Sequence, residues 1–217
     1  MAGTDEIHPE LIKFGGDKLL NRMYELVRQI WEEERIPEEW KETIIFPIHK
    51  RGDRDRCENY REMALGTAAY KILSNIILGK LKPYIEKVME DYQNGFGDGR
   101  SVNDNIFALI IINEKLWEYN QIVQYLFIDF QKAYNSIHRD ALWKCMKEFI
   151  ISTKLINMCK TCVQETRSAV RIEGTLSSFF ENKTGLKQDD PLSPVLFNLV
   201  LQNDTKYKNG SHWYKDW

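Results

Sequence analysis

An aspartate stands inside an apolar run near the middle of the chain, in the stretch FIDFQKAYNSIHRDALW of residues 127–143. Phe127, Ile128 and Phe130 surround Asp129, and a carboxylate that is buried without a partner is costly. A divalent cation that prefers oxygen ligands would be a suitable partner for it. The other interpretation is a turn or capping residue, which is the more common role of a single aspartate at the end of a strand.

A charged loop precedes this aspartate, in the sequence HKRGDRDRCENYR between His49 and Arg61. The loop holds five basic and three acidic residues. Such a run is usually a solvated loop, and the alternative is a loop that contacts phosphate groups. Because the net charge of −2 argues against a chain that is basic throughout, these clustered cations would have to carry any binding of nucleic acid.

The composition is that of an ordinary globular protein, with 43% hydrophobic residues in a chain of 217. No apolar run is long enough for a membrane span, and the first residues lack the pattern of a secretory signal. We therefore expect an intracellular protein, without a distinction between nucleus and cytoplasm. Cys159 and Cys162 form a C-x-x-C pair, but a lone pair cannot close a structural zinc site, so the pattern predicts packing residues on a helix.

Three stretches predict the strands that must position these side chains. Residues 122–130, IVQYLFIDF, are dense in β-branched and aromatic side chains and predict a strand buried on both faces, with Asp129 at its end. Residues 42–50 predict a second strand, which Pro47 would confine to an edge or an irregular position. Residues 166–184 predict a hairpin with its turn near Glu173 and Gly174.

Apolar side chains at helical spacing predict the remaining elements. Pro83 indicates either a break within the second predicted helix or the start of a further helix. Asn103 or Asp104 is the expected N-cap of the third helix, and Ser152 or Thr153 that of the fifth. The predicted helices cover residues 17–34, 67–89, 102–120, 138–149, 152–165 and 195–202.

Five blocks of the sequence occur in the order that is typical of one known family. From roughly Phe14 to Gln202 the chain resembles the reverse transcriptase domain of non-LTR retrotransposons, the LINE-like elements. The resemblance implies an α+β right-hand polymerase fold that is rich in helix, with fingers, an incomplete and partly antiparallel palm sheet, and no thumb. The implied regions are fingers at 1–121, a partial palm at 122–202 and an unrelated tail at 203–217. The blocks are IPEEWKETIIFPIHKRGD, CENYREMALGTAAYKILSNIIL, YQNGFGDGRSVND, FIDFQKAYNSIHRDALW and GLKQDDPLSPVLFNLVL.

The resemblance also implies roles for single residues. Asp129, with the backbone carbonyl of Phe130, would bind the two Mg²⁺ ions of such a polymerase. Tyr134 matches the aromatic residue beneath the sugar that excludes a 2′-hydroxyl, and Gln188 matches the glutamine near the nascent base pair. The expected contacts to the nucleotide triphosphate come from Lys50 and Arg61, and those to nucleic acid from Arg51, Arg54 and Arg100.

The sequence departs from the family pattern at several positions. Asn135 replaces an aspartate of the first catalytic block, Glu62 replaces a proline, and Asp189 replaces the glycine that usually follows Gln188. A carboxylate at position 189 is expected to add repulsion where primer and template phosphates crowd. The Tyr-Ala-Asp-Asp hairpin of the family is not found before the chain ends, so we expect a chain truncated after the block that contains Gln188 and inactive in polymerisation.

These features leave more than one function open. The first is a fragment of an RNA-directed DNA polymerase that, when intact, would act on an RNA template, a DNA primer and deoxynucleoside triphosphates with Mg²⁺. The second is a module that binds nucleic acid or protein without catalysis. The third is a remnant without a selected role, in which an exposed strand edge favours aggregation.

Overall fold

The computed structural model describes residues 3–90, 92–95, 99–130 and 132–208, and these contain seven α-helices, two short 3₁₀ helices at Glu38–Lys41 and Cys57–Asn59, and a five-stranded sheet. The helices are α1 Pro9–Lys13, α2 Gly16–Glu33, α3 Ala68–Val88, α4 Val102–Glu118, α5 Arg139–Glu148, α6 Thr153–Val163 and α7 Leu192–Lys208. The strands are β1 Glu42–His49, β2 Tyr60–Leu65, β3 Arg167–Ile172, β4 Thr175–Leu176 and β5 Phe180–Glu181.

The sheet joins strands from the two halves of the chain. Strand β1 pairs with β2 in antiparallel and with β3 in parallel orientation, and the other edge of β3 pairs with β4 and β5. The sheet is therefore mixed and not only antiparallel. Because β3 pairs with β1 only as far as Ile45, Pro47 lies where one edge of β1 has no neighbour, a position that tolerates a residue without an N–H donor.

The predicted hairpin is confirmed. Strands β3 and β4 pair up to Ile172 and Thr175, and the turn between them consists of Glu173 and Gly174. Both turn residues have positive φ angles, 49° and 85°, as a two-residue turn that matches the strand twist requires.

One hydrophobic core draws on both halves of the chain. Helix α7 packs against α3 and α5, and α6 also contacts α3 and α5. Cys159 and Cys162 are buried in this core, which confirms their prediction as packing residues. Burial raises the pKa of the Cys162 thiol to about 12, so this thiol is neutral at physiological pH. Fully buried side chains of the core include Leu73, Ile77, Leu81, Leu142, Met146, Met158, Leu192, Leu196 and Leu199.

Several predicted helix boundaries need correction. Helix α3 continues through Pro83, because Leu81 is fully buried and Ile85 packs against the core on either side of it. The N-cap of α4 is Ser101, whose hydroxyl accepts from the backbone N–H of Asn103, and not Asn103 or Asp104. The prediction of Ser152 as the cap of α6 is confirmed.

Helix α7 continues past Gln202, where the sequence predicted its end, and reaches Lys208. The remainder of the predicted tail, residues 209–217, lies outside the described residues. The core includes side chains from both sides of residue 121, and the division into fingers, palm and tail stays a prediction.

The prediction of a buried strand over residues 122–130 is wrong. This segment has no regular secondary structure, and Ile122 and Phe127 are 93% and 83% exposed. A strand is stable only when neighbours supply its hydrogen bonds and cover its faces, and no strand of the described residues pairs with this segment. Helix α4 shares this exposure, since none of its side chains is buried.

Among the described helices, none combines the length and hydropathy needed to cross a bilayer.

Candidate active site

The loop after β1 is shaped by hydrogen bonds from side chains to its backbone. The Asn59 side-chain amide donates to the Asp53 carbonyl at 2.7 Å, and the Tyr60 hydroxyl donates to the Arg54 carbonyl at 2.9 Å. Gly52 has a φ of 86°, and a Cβ there would lie 2.8 Å from the Asn59 amide nitrogen. The loop therefore has a defined shape that depends on a glycine at position 52.

The predicted cations of this loop point to solvent. Lys50, Arg51 and Arg54 are all exposed, and no carboxylate of the described residues forms an ion pair with them. The Lys50 backbone N–H donates to the Asn59 carbonyl at 2.9 Å, which extends the pairing of β1 with β2 into the loop. This arrangement suits contact with an extended polyanion, because the positive charges are available without breaking internal pairs.

The loop that contains Gln188 is held against the segment that contains Tyr134. The Leu186 N–H donates to the Tyr134 carbonyl at 3.0 Å, and the Arg139 Nε donates to the Gly185 carbonyl at 3.0 Å. Gly185 has a φ of 76°, and a Cβ there would lie 2.8 Å from the Cα of Asn135. Gly185, the glycine of the G-x-x-Q sequence, thus permits the close approach of two backbone segments. The sequence alone does not show this approach.

The contact between the loop of Gln188 and the segment of Tyr134 produces a cluster that consists of Arg61, Tyr134 and Asp189. An Arg61 guanidinium nitrogen lies 3.6 Å from a carboxylate oxygen of Asp189. Partial burial raises the pKa of the Tyr134 phenol, with Arg61 opposing this rise and Asp189 adding to it. Gln188 precedes Asp189 and lines a cleft of about 800 Å³ together with Arg54. Three of the four residues expected to contact the nucleotide are therefore brought to one region.

The glycine position of the family pattern has the backbone conformation that favours glycine. Asp189 has a φ of 61°, in the left-handed region that few residues other than glycine adopt. Its carboxylate lies beside the guanidinium of Arg61. The departure at position 189 therefore changes the charge beside a predicted nucleotide contact and puts an aspartate in a conformation that glycine adopts more readily.

Asp129 and Phe130 lie at the end of the exposed segment 121–130, and Asp129 itself is exposed. The Phe130 ring packs edge-on against Phe197 of α7, with the centroids 5.8 Å apart, and the Tyr134 ring does the same at 5.6 Å. Phe197 thus links the neighbour of Asp129 to Tyr134.

The donors at this position are of the type that Mg²⁺ prefers, a carboxylate and a backbone carbonyl. Within the described part of the chain, however, no group of three or more His, Cys, Asp or Glu side chains could hold a metal ion. Asp129 and the Phe130 carbonyl therefore fit one side of a Mg²⁺ site and do not by themselves form a site for two ions.

Arg100 contacts the backbone of its own loop. Its guanidinium donates to the Gln93 carbonyl at 2.9 Å and to the Glu90 carbonyl, while the Asn198 amide of α7 donates to the Gly95 carbonyl at 2.9 Å. Arg100 thereby helps to hold the loop beside α7. Its contact with a template backbone stays a prediction.

Asp190 is a buried residue of the site region that the sequence interpretation missed. Its carboxylate accepts hydrogen bonds from the hydroxyls of Tyr70 and Ser74, the latter at 2.7 Å, and from the backbone N–H of Leu192 at 3.1 Å. It thus joins α3 to the start of α7. The sequence did carry a signal, because an Asp-Pro pair ahead of an apolar run is a typical helix start.

Lys187 completes this buried group. Its ammonium lies 4.4 Å from the centroid of the Tyr70 ring. Burial lowers the pKa of the Lys187 ammonium, and the nearby Asp190 carboxylate opposes that shift. Burial also raises the pKa of the Tyr70 phenol well above its usual value, with a further rise from Asp190. The buried group of Tyr70, Ser74, Lys187 and Asp190 stabilises the loop that contains Gln188 and Asp189.

Comparisons with known proteins agree with this arrangement of motifs. Residues 48–206 match the family described as Reverse transcriptase (RNA-dependent DNA polymerase). A solved structure of apo telomerase from Candida tropicalis is similar over 84% of this chain and 43% of that chain, with a TM-score of 0.54 and 14% identity. That likeness concerns the fold, and it supports a partial right-hand polymerase fold for this chain.

Proteins of transposable elements are similar in sequence. The chain is 22% identical over 92% of its length to the transposon TX1 uncharacterized 149 kDa protein of Xenopus laevis, covering 15% of that protein. It is 25% identical over 82% of its length to the probable RNA-directed DNA polymerase from transposon BS of Drosophila melanogaster, covering 20% of it. The chain therefore spans a fifth or less of these two relatives. Because the family match covers most of the chain, the protein belongs to the reverse transcriptase family, in the form found in non-LTR, LINE-like retrotransposons.

Proposed function

We propose that this chain provides the nucleotide-binding part of an RNA-directed DNA polymerase, which in the intact domain transfers deoxynucleotides to a DNA primer on an RNA template. The observation that carries the proposal is the convergence of Arg61, Tyr134 and Gln188 through the contact between the 185–188 loop and the 134–139 segment. These residues come from distant parts of the chain, and their types suit the triphosphate, the sugar and the base pair respectively.

Each residue has a physical role in this proposal. Arg61 and Lys50 neutralise negative charge that spreads over the phosphoryl oxygens during transfer. Tyr134 limits the space beneath the sugar and thereby disfavours a 2′-hydroxyl. Gln188 lines the cleft and offers an amide to the nascent base pair.

Asp129 and the Phe130 carbonyl are proposed as ligands of Mg²⁺ in the intact domain. A bound pair of such ions supplies Lewis-acid stabilisation and activation of the primer hydroxyl in polymerases. The exposed position of Asp129 leaves its carboxylate accessible to such a cation.

Nucleotide binding tests the proposal directly. Arg61→Gln is expected to weaken binding of deoxythymidine triphosphate by about tenfold, because a charge-assisted contact to phosphate is lost. Tyr134→Ala is expected to reduce the preference for the deoxynucleotide over the ribonucleotide. Arg22→Gln removes an exposed cation of α2 that pairs with Glu25, and it serves as the matched control. Equal binding by the Arg61 and Arg22 variants would contradict the assigned role.

We also propose that the 217 residues alone do not polymerise DNA, because a pair of ions needs several ligands and the described residues contain no group of three or more His, Cys, Asp or Glu side chains that could hold a metal ion. Primer extension on a homopolymer RNA template with Mg²⁺ tests this. DNA synthesis that disappears in Asp129→Ala would show that the chain is active by itself.

A second candidate function, the binding of nucleic acid without catalysis, is favoured by the exposed cations Lys50, Arg51 and Arg54. Binding through such cations decreases steeply as the salt concentration rises. Filter binding of single-stranded RNA at two salt concentrations tests this function. Absent or salt-independent binding would exclude it.

A further inference from the structure

Position 189 combines a charge, an unusual backbone conformation and a location beside Arg61. The Asp189 carboxylate lies 3.6 Å from the Arg61 guanidinium, and the two side chains are 36% and 59% exposed. The φ of Asp189 is 61°, in the left-handed region that aspartate and asparagine adopt more readily than most residues but less readily than glycine. Backbone stability would therefore favour glycine at this position, and the carboxylate is the feature that requires an explanation.

We propose that the Asp189 carboxylate occupies the position beside Arg61 that the phosphates of an incoming nucleotide would take. Asp189 then acts as a built-in competitor that lowers the affinity of this chain for triphosphates. The inference rests on the proposed role of Arg61 as a phosphate contact. It identifies a residue that determines affinity and that does not itself take part in the reaction.

Competition has two physical parts. The first is pairing, because a guanidinium that faces Asp189 must lose this contact before it faces a phosphate. The second is repulsion, because a carboxylate within a few ångströms of the guanidinium also lies within a few ångströms of any anion bound there. Both parts disappear when the side chain at position 189 has no charge.

The geometry also indicates that the competition is partial. At 3.6 Å the contact between Arg61 and Asp189 is longer than a hydrogen bond. Exposed ion pairs of this kind are weak and are screened by salt. A triphosphate, with several negative charges and the help of Mg²⁺, can therefore displace the carboxylate, and the expected effect is a moderate change of affinity.

Two substitutions separate the charge from the backbone conformation. Asp189→Gly removes the charge and also the Cβ that makes the left-handed conformation less favourable. Asp189→Asn removes only the charge and keeps a side chain that tolerates this conformation. Neither substitution disturbs the core, because Asp189 is exposed. The probes are inorganic tripolyphosphate and deoxythymidine triphosphate with Mg²⁺, titrated calorimetrically into the full chain at low salt.

Both variants are expected to bind both probes about three- to tenfold more tightly than the unaltered chain. The gain is expected to vanish when Arg61→Gln is added. Glu165→Gly is the matched control, because Glu165 also has a positive φ, 54°, and its exposed carboxylate pairs with Lys41 at 2.8 Å. The control has the same change of charge and is expected to show no gain.

The outcomes distinguish this inference from the proposed function. If Arg61→Gln weakens nucleotide binding while the Asp189 variants bind no more tightly, the competitor role is wrong and the role of Arg61 stands. If the Asp189 variants gain affinity for tripolyphosphate but not for the nucleotide, the competition stands and the nucleotide site is wrong. A gain that persists without Arg61, or a failure of every variant to bind either probe, overturns the inference.

Discussion

Gly185 allows the 185–188 loop to approach the 134–139 segment, and its substitution should be costly. Gly185→Ala forces a φ of 76° on a residue with a Cβ and places that Cβ 2.8 Å from the Cα of Asn135. We expect a loss of about 2–4 kcal/mol in the free energy of unfolding, measured by urea denaturation. Gly174→Ala is the control, because its φ is 85° but its Cβ would meet no atom within 4 Å. Equal losses in the two variants would show that the close approach does not matter.

Cys162 makes stability depend on pH above the physiological range. Burial raises the pKa of its thiol from 9.0 to about 12 in the folded chain. A group whose pKa is raised on folding contributes its full stability below the unfolded pKa and loses this contribution as the pH rises towards the folded value. The free energy of unfolding should therefore fall by about 1.4 kcal/mol per pH unit between pH 9 and 12 through this thiol alone.

Cys162→Ala tests this dependence when urea unfolding is measured at several alkaline pH values. The variant is expected to be less stable at pH 7 because a core side chain is shortened, but its stability should decline less steeply above pH 9. Cys57→Ala is the control, since Cys57 is exposed. A decline as steep in Cys162→Ala as in the unaltered chain would contradict the assignment.

At the scale of elements, the β3–β4 hairpin places the sheet beside the loop of the site. The sequence of its turn can be replaced by a more favourable one. Glu173 and Gly174 both have positive φ angles, a pair of positions at which Asn-Gly is the preferred sequence. Glu173→Asn should raise the free energy of unfolding by about 0.5–1 kcal/mol. Thermal and urea denaturation measure this gain.

The control for this substitution is Glu181→Asn in β5, a strand that also pairs with β3. It removes the same charge from an exposed residue, but in an extended strand, where asparagine is unfavourable. The control is expected to show no gain. If both variants were stabilised equally, removal of negative charge would be the cause and not the conformation of the turn.

At the scale of the whole molecule, the described chain exposes a large amount of apolar side chain. Phe127 is 83% and Leu126 is 69% exposed in the segment after α4, and Trp117 at the end of α4 is 82% exposed. Apolar patches of this kind bind apolar dyes and favour self-association. We expect the chain to bind anilinonaphthalene sulfonate and to associate with itself as its concentration rises.

Leu126→Ser combined with Phe127→Ser should reduce dye fluorescence and self-association, measured by sedimentation velocity. The melting temperature should change little, because exposed side chains contribute about 0.5 kcal/mol or less. Leu11→Ser in α1 is the control, since Leu11 is 62% exposed at a distant place in the sequence. Unchanged fluorescence in the double variant would show that this segment is not the apolar surface in question.

Much of this protein was predictable from its sequence because the determining interactions are local. The turn at Glu173 and Gly174, the cap at Ser152 and the packing of Cys159 and Cys162 follow from neighbouring residues and helical periodicity. Family membership was predictable for a related reason, since the order of sequence blocks does not depend on how they pack. The exposed loop position of Lys50, Arg51 and Arg54 was also predictable, because it follows from the local sequence.

The remaining features of the fold and of the site depend on tertiary structure and not on local sequence patterns. The apolar run that contains Asp129 reads as a buried strand, yet strand formation needs pairing partners, and none of the described residues supplies them. Pro83 was expected to break a helix that packing holds together. The contacts of Arg61 with Asp189 and of Tyr70 with Asp190 join residues far apart in the chain. Such contacts depend on the path of the backbone between them, which no local pattern specifies.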